Sequence, residues 1–155
     1  MKFQSTKVID GFSACFRQEK SKPSHCSLLH GYALSFKIIF EGDLDFRNWV
    51  VDFGFMKNST CKIFGLSPDE WFKKMFDHTV LVAQDDTELI WFVEARDKGI
   101  MDVQILPKGV GCERFAELVF EEMDMFIRME TDQRVRVVSV ECIENQKNSA
   151  LCLSL

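Results

Sequence analysis

No apolar run in this 155-residue chain approaches the roughly 18 residues that would span a bilayer. The opening residues, MKFQSTKVID, lack the apolar stretch of an export signal. The six cysteines, at 15, 26, 61, 112, 142 and 152, form no CxxC pair and no obvious disulfide framework. They are expected to be reduced thiols in a cytoplasmic protein. Cationic excess is missing too. The 24 Asp and Glu residues outnumber 19 Lys and Arg, and a net charge of -5 carries no footprint for nucleic acid. Nor is there an internal repeat, a low-complexity tract or a linker. What remains is 46% hydrophobic and 28% charged, an ordinary balance for a folded protein. The length predicts one domain over residues 1–155, large enough for its own core.

Residues 7–18, KVIDGFSACFRQ, alternate weakly, with Phe12, Ala14 and Phe16 on one face, and predict a half-buried strand. A second strand follows, carrying Tyr32, Leu34, Phe36, Ile38 and Phe40 on one face and ending at the turn signal Glu41-Gly42-Asp43. The period then changes, and helices are expected from near Asp52 and again after Ser67-Pro68-Asp69, a good N-terminal arrangement. DDTELIWFVEARDKG reads as a helix ending at Gly99, and MDVQILP as a short strand or extended link. CERFAELVFEEMDMFIRM places Phe115, Leu118, Val119, Met123, Phe126 and Ile127 on one stripe, an amphipathic helix. RVRVVSVECIEN and SALCLSL read as the last two strands. Two strands, a helical middle and two strands predict an α+β fold with a four-stranded antiparallel sheet.

Three places in the chain have side chains suited to chemistry. Cys26 sits beside His25 and four residues before His30; a cysteine acts as base or nucleophile only as thiolate, helped by a nearby imidazole. Taken alone, such a residue is most often a small buried hydrophobe. Asp77-His78 is a pair in which the carboxylate can fix the imidazole tautomer, although a polar helix end reads the same way. Glu141 lies in the apolar strand VVSVECIEN, where an unpartnered carboxylate is costly. Its partner is either a structural Arg or a ligand with two adjacent N–H donors, such as the edge of a pterin or guanine. Glu113, in the first turn of a helix, is explained by the helix dipole.

Together these segments resemble the 6-pyruvoyl-tetrahydropterin synthase and 6-carboxy-tetrahydropterin synthase family. FSACFR is similar to the family's first-strand motif, CSLLHGY to its Cys-x-x-x-His-Gly-His, and VVDFGFMK to its Asp-Phe-x-x-x-Lys. FDHTVLV resembles its Asp-His segment, CERFAELVF its Glu-containing helix start, and VSVECIEN its Glu-Thr strand. The resemblance implies the tunnelling fold, in which the sheets of several subunits join into a barrel and active sites lie between subunits. It implies Cys26 as general base, Asp77 and His78 as its helpers, and Glu141 with Glu113 as substrate-binding carboxylates. The implied activity is lyase-type, on a dihydroneopterin triphosphate-like pterin, in pterin or 7-deazaguanine (queuosine) biosynthesis. The partners implied are a pterin- or purine-like small molecule and further copies of the chain, with no nucleic acid and no membrane.

One part of the family pattern is broken. Three histidines hold the family's zinc, and they correspond here to Phe16, His30 and Tyr32. The whole chain has only His25, His30 and His78. Residues 30 and 32 of a strand face one side, so a His pair there would chelate. A benzene ring cannot ligate, and a phenol with an ordinary pKa of about 10 is a poor substitute for imidazole. His30 is the only ligand position kept, so no zinc and no other cofactor is expected. Two further readings stay open: a zinc-free relative with different pterin or purine chemistry, and a non-catalytic binding module that keeps the Glu141 pocket.

Overall fold

The computed structural model describes residues 1–154. From the N-terminus the chain forms β1 (Phe3–Ile9), β2 (Ala14–Phe16), β3 (His30–Tyr32), β4 (Ser35–Gly42), α1 (Phe55–Asn58) and α2 (Pro68–Phe76). It continues as β5 (Thr79–Ala83), α3 (Leu89–Asp97), β6 (Asp102–Leu106), α4 (Cys112–Glu130), β7 (Val135–Ile143) and β8 (Ser149–Leu153). The expected antiparallel sheet is present, in the order β1-β4-β7-β8. A second four-stranded sheet, β3-β2-β5-β6, stands beside it and corrects the single-sheet expectation.

The second sheet arises because both predicted N-terminal strands break and change sheets. The run over 7–18 ends at Ile9 and resumes at Ala14, with Gly11 at φ 87 supplying a turn that a side chain would resist. The next run breaks between Tyr32 and Ser35. β2 and β3 pair antiparallel, while β2–β5 and β5–β6 pair parallel. α3 bridges β5 and β6, as parallel neighbours require.

The main core lies between the first sheet and the helices. Phe36, Ile38 and Phe40 of β4 and Val135, Val137, Val140 and Cys142 of β7 face Phe115, Val119, Met123 and Phe126 of α4. Aromatic rings fill much of it: Phe12 stacks on Phe72 at 5.9 Å, and Phe36 meets Phe76 at 4.6 Å. α2 starts where its sequence demands. Ser67 accepts from the Glu70 N–H, the Glu70 carboxylate accepts back from the Ser67 N–H at 2.8 Å, and Pro68 takes the first turn. Among the described residues no helix is long and apolar enough to cross a membrane.

A bulge in β7 decides which way Glu141 faces. Ile39 pairs with Ser139 and Phe40 with Val137, so Val138 is the extra residue and the strand's inward set changes parity there. Val135, Val137, Val140 and Cys142 are buried. Glu141 lies on the opposite face, not on the face of Val135 and Val137 that strict alternation predicts.

Candidate functional site

Phe16 pairs directly with His30 across β2 and β3, and Ala14 pairs with Tyr32. The three side chains corresponding to the zinc positions therefore do meet. Ring centroids are 5.6 Å apart for Phe16–His30, 5.6 Å for Phe16–Tyr32 and 5.0 Å for His30–Tyr32. Phe115 closes the cluster from α4, edge-on to Phe16 at 4.9 Å. His30 Nδ1 lies 2.5 Å from the Leu28 carbonyl oxygen, so this nitrogen carries the proton and only Nε2 keeps a lone pair. Hydrogen bonding to the Glu144 carboxylate, with burial, pushes the Tyr32 phenol up to about 12. One imidazole nitrogen, one protonated phenol and one benzene ring fall short of the three ligands that a catalytic zinc requires.

Beside this cluster is a cavity of about 210 Å³. Cys26 reaches it from a 3-10 turn, His25–Ser27, which Ser24 caps by accepting from the Cys26 N–H. The Gln18 N–H donates to the Cys26 carbonyl at 2.7 Å, fixing the turn to the end of β2. Cys112 and Glu113 enter from the first turn of α4, where a carboxylate is favoured by the helix dipole. Gly111 just before them has φ 128, and a Cβ there would stand 2.6 Å from Gln18 Nε2. Behind Cys112 lies the fully buried Cys142; hydrogen bonding to Cys112, and then burial, holds its thiol strongly protonated. Glu144 and Asn148, from the turn joining β7 to β8, and Ser149, the first residue of β8, complete the far wall.

Glu141 stands one hydrogen bond behind that wall. Its Oε1 accepts from Ser149 Oγ at 2.6 Å, and its strand neighbours are Lys37 and Leu151. Its partner is thus a serine hydroxyl rather than an arginine.

The Asp77–His78 pair sits elsewhere. Asp77 Oδ1 accepts from the Ser13 N–H at 3.1 Å and lies 3.0 Å from His78 Nδ1. His78, with φ 55, leaves its side chain 86% exposed. Residue 79 pairs with Ala14, whereas Cys26 is bonded to Gln18, so pair and thiol occupy opposite ends of β2. Five residue steps separate Ser13 from Gln18, with the strand Ala14–Phe16 between them. His78 is not among the residues lining the cavity that Cys26 reaches.

Sequence reading missed Glu144 and Gln18. Glu144 lies in the turn after β7, and only its place in the cavity wall distinguishes it from a solvated carboxylate.

The family model for 6-pyruvoyl tetrahydropterin synthase matches residues 5–153. No curated protein matches by sequence. Solved structures do match by fold. An uncharacterised protein of Wolinella succinogenes superposes with a TM-score of 0.77 at 18% identity, covering 100% of this chain and 99% of that one. The 6-pyruvoyl tetrahydropterin synthase of Caenorhabditis elegans gives 0.64 at 17% identity, covering 100% and 97%. That of Plasmodium vivax gives 0.61 at 12% identity, covering 97% of each chain. At such identities the structural likeness shows the fold alone.

Proposed function

This chain belongs to the 6-pyruvoyl tetrahydropterin synthase family, and on that premise we propose that it binds a pterin- or guanine-like heterocycle at the Cys26 cavity, with Cys26 as proton acceptor and without zinc. The observation that carries this reading is the convergence of Cys26 and Glu113 on one cavity, with Glu141 behind its wall. The heterocycle's amino group and ring N–H form an adjacent donor pair that a carboxylate accepts in bidentate fashion. Glu141 is assigned that role. Glu113 is assigned a second contact to the ring, and the Cys26 thiolate takes a proton from the ligand's side chain.

The family's zinc would polarise side-chain oxygens as a Lewis acid. The donor set of Phe16, His30 and Tyr32 does not fit it, so this protein's chemistry is assigned to proton transfer at Cys26. Asp77 and His78 are assigned to a neighbouring subunit's cavity, where Asp77 orients the imidazole that draws the thiol proton. A cavity of about 210 Å³ is smaller than the roughly 300–1,000 Å³ of ordinary ligand sites. It suits a site that a second subunit completes.

Calorimetry with neopterin tests the binding. Glu141→Gln replaces an acceptor oxygen with a donor facing the ligand's donors, and binding should weaken by about 2–5 kcal/mol. Cys26→Ala should keep the affinity and abolish exchange of the ligand's side-chain proton with solvent. Unchanged affinity in Glu141→Gln removes the anchor. One tightly held zinc per chain, found by elemental analysis, would return the protein to the metal-dependent reaction.

A further inference from the structure

We propose that the Gln18 side chain is a gate between the Cys26 cavity and a larger cleft of the same chain, and that this cleft takes the hydroxylated side chain of the ligand. This rests on the pterin-binding reading above and adds to it a second subsite, formed within one protomer.

Gln18 is the one residue that lines both the cavity at Cys26 and a neighbouring cleft of about 400 Å³. Its backbone is held firmly. The N–H donates to the Cys26 carbonyl at 2.7 Å, and the carbonyl accepts from the Ser21 N–H at 2.9 Å and the Ser21 hydroxyl at 2.7 Å. Its side chain is held loosely. Among the described residues the amide makes one bond, to the Val110 carbonyl at 3.5 Å, where such a bond is weak. The amide has room only because residue 111 is glycine. A Cβ there would stand 2.6 Å from Gln18 Nε2 and 3.6 Å from Glu113 Oε2, so amide and carboxylate lie side by side over this residue. Moving the amide aside therefore breaks less than one good hydrogen bond and disturbs no backbone contact.

Size and chemistry suit the cleft to a chain rather than a ring. The Cys26 cavity, about 210 Å³, is below the roughly 300 Å³ at which ordinary ligand sites begin, and the cleft is above it. The cleft's charged lining is balanced, with Lys20, Lys108 and Arg114 against Glu19, Asp85 and Asp86. Each cation is already paired: Lys20 with Asp85, Arg114 with Glu117 at 2.7 Å, and Lys108 with Glu117 at 3.4 Å and with Glu121. Donors and acceptors thus alternate along its wall with no excess of either sign. A hydroxyl group, which donates once and accepts twice, pairs with such a wall at many points. Cys26 lines the first cavity, and its carbonyl is bonded to Gln18. A chain running from the ring into the cleft therefore passes the residue assigned to proton transfer.

The experiment compares pterin, which has no chain at C6, with neopterin, which has a trihydroxypropyl chain, by calorimetry on the intact protein. Wild type should bind neopterin more tightly, by about two- to tenfold for each hydroxyl that finds a partner. Gln18→Ala opens the passage and should raise the neopterin-to-pterin affinity ratio by about two- to tenfold. Gln18→Phe fills the passage and should bring the ratio down to about one, the value for a chain with no partner. Opposite shifts from one position are not what a merely structural residue gives. Lys108→Met removes a donor from the cleft, lies outside the lining of the Cys26 cavity, and should lower the ratio. Cooperative urea unfolding checks that each variant is folded. Equal binding of the two ligands by wild type overturns the proposal and leaves pterin binding in place. So does a ratio that the two Gln18 variants leave unchanged or move in the same direction, or that Lys108→Met does not lower. Binding of neither ligand overturns both readings.

Discussion

At the scale of single residues, one substitution changes the character of the site more than any other. Tyr32 is the only tyrosine in the chain, so the tyrosinate absorbance reports it alone. Hydrogen bonding to Glu144 and burial push its phenol up to about 12, above the unfolded value of about 10. The protonated form is the one the fold favours. The pairing's contribution to stability is therefore complete below about pH 10 and lost as pH rises from about 10 toward about 12. An alkaline titration should show a single late transition in the folded protein. Glu144→Gln should bring it down toward the free value. A midpoint near 10 in the wild type would mean that Tyr32 and Glu144 are not engaged.

Secondary elements were legible wherever a local signal decides them. Ser67-Pro68-Asp69-Glu70 specifies a helix start through its own hydrogen bonds, and the α4 stripe specifies which side is buried. β5 was not legible, because a parallel strand buried on both faces shows no alternation and TVLVA is short. The β7 bulge was hidden for a related reason. It is set by the partner strand, and every residue from Val137 to Val140 suits a strand whichever face it takes. Cys26 and Glu113 could be found in sequence; their shared cavity with Glu144 depends on a turn that no motif marks. Joining the elements is a task for ion pairs. Arg17, at the end of β2, grips Asp86, just before α3, through bonds of 3.0 and 2.5 Å. Asp86 also accepts from the Glu88 N–H at 2.8 Å. Burial pushes the Asp86 carboxyl up, but Arg17 and the Glu88 N–H outweigh it and hold it below the ordinary range. Its contribution is present above the unfolded value of about 3.9 and is lost as pH falls below it. Asp86→Ala leaves a part-buried guanidinium without its partner and should cost about 3–5 kcal/mol in a urea melt at neutral pH. The difference from wild type should shrink below pH 4. A pH-independent difference would show that packing, not charge, holds this junction.

For the whole molecule, three features of a single chain ask for another copy. β1 and β8 are unpaired edges of the first sheet, which favours joining sheet to sheet. The face opposite the helices carries a row, Val8–Lys37–Glu141–Leu151, and next to it Leu153, with Val8, Leu151 and Leu153 exposed by 52%, 59% and 61%. Asp77–His78 and Cys26 lie at opposite ends of β2, so a site that uses all three needs two protomers. Light scattering at micromolar concentration should therefore find an oligomer. Leu151→Arg with Leu153→Arg places two cations on the exposed face of edge strand β8, where they disturb no core contact. This variant should run at lower mass, unfold cooperatively, and bind neopterin more weakly even though Cys26, Glu113, Glu141 and Glu144 are untouched. His78→Ala should slow alkylation of Cys26 by iodoacetamide in the wild-type assembly but not in the dissociated variant, because only assembly brings the imidazole to the thiol. A strictly monomeric wild type with full neopterin affinity, or His78→Ala slowing alkylation equally in both, would place the site within one chain and require a different partner for Cys26.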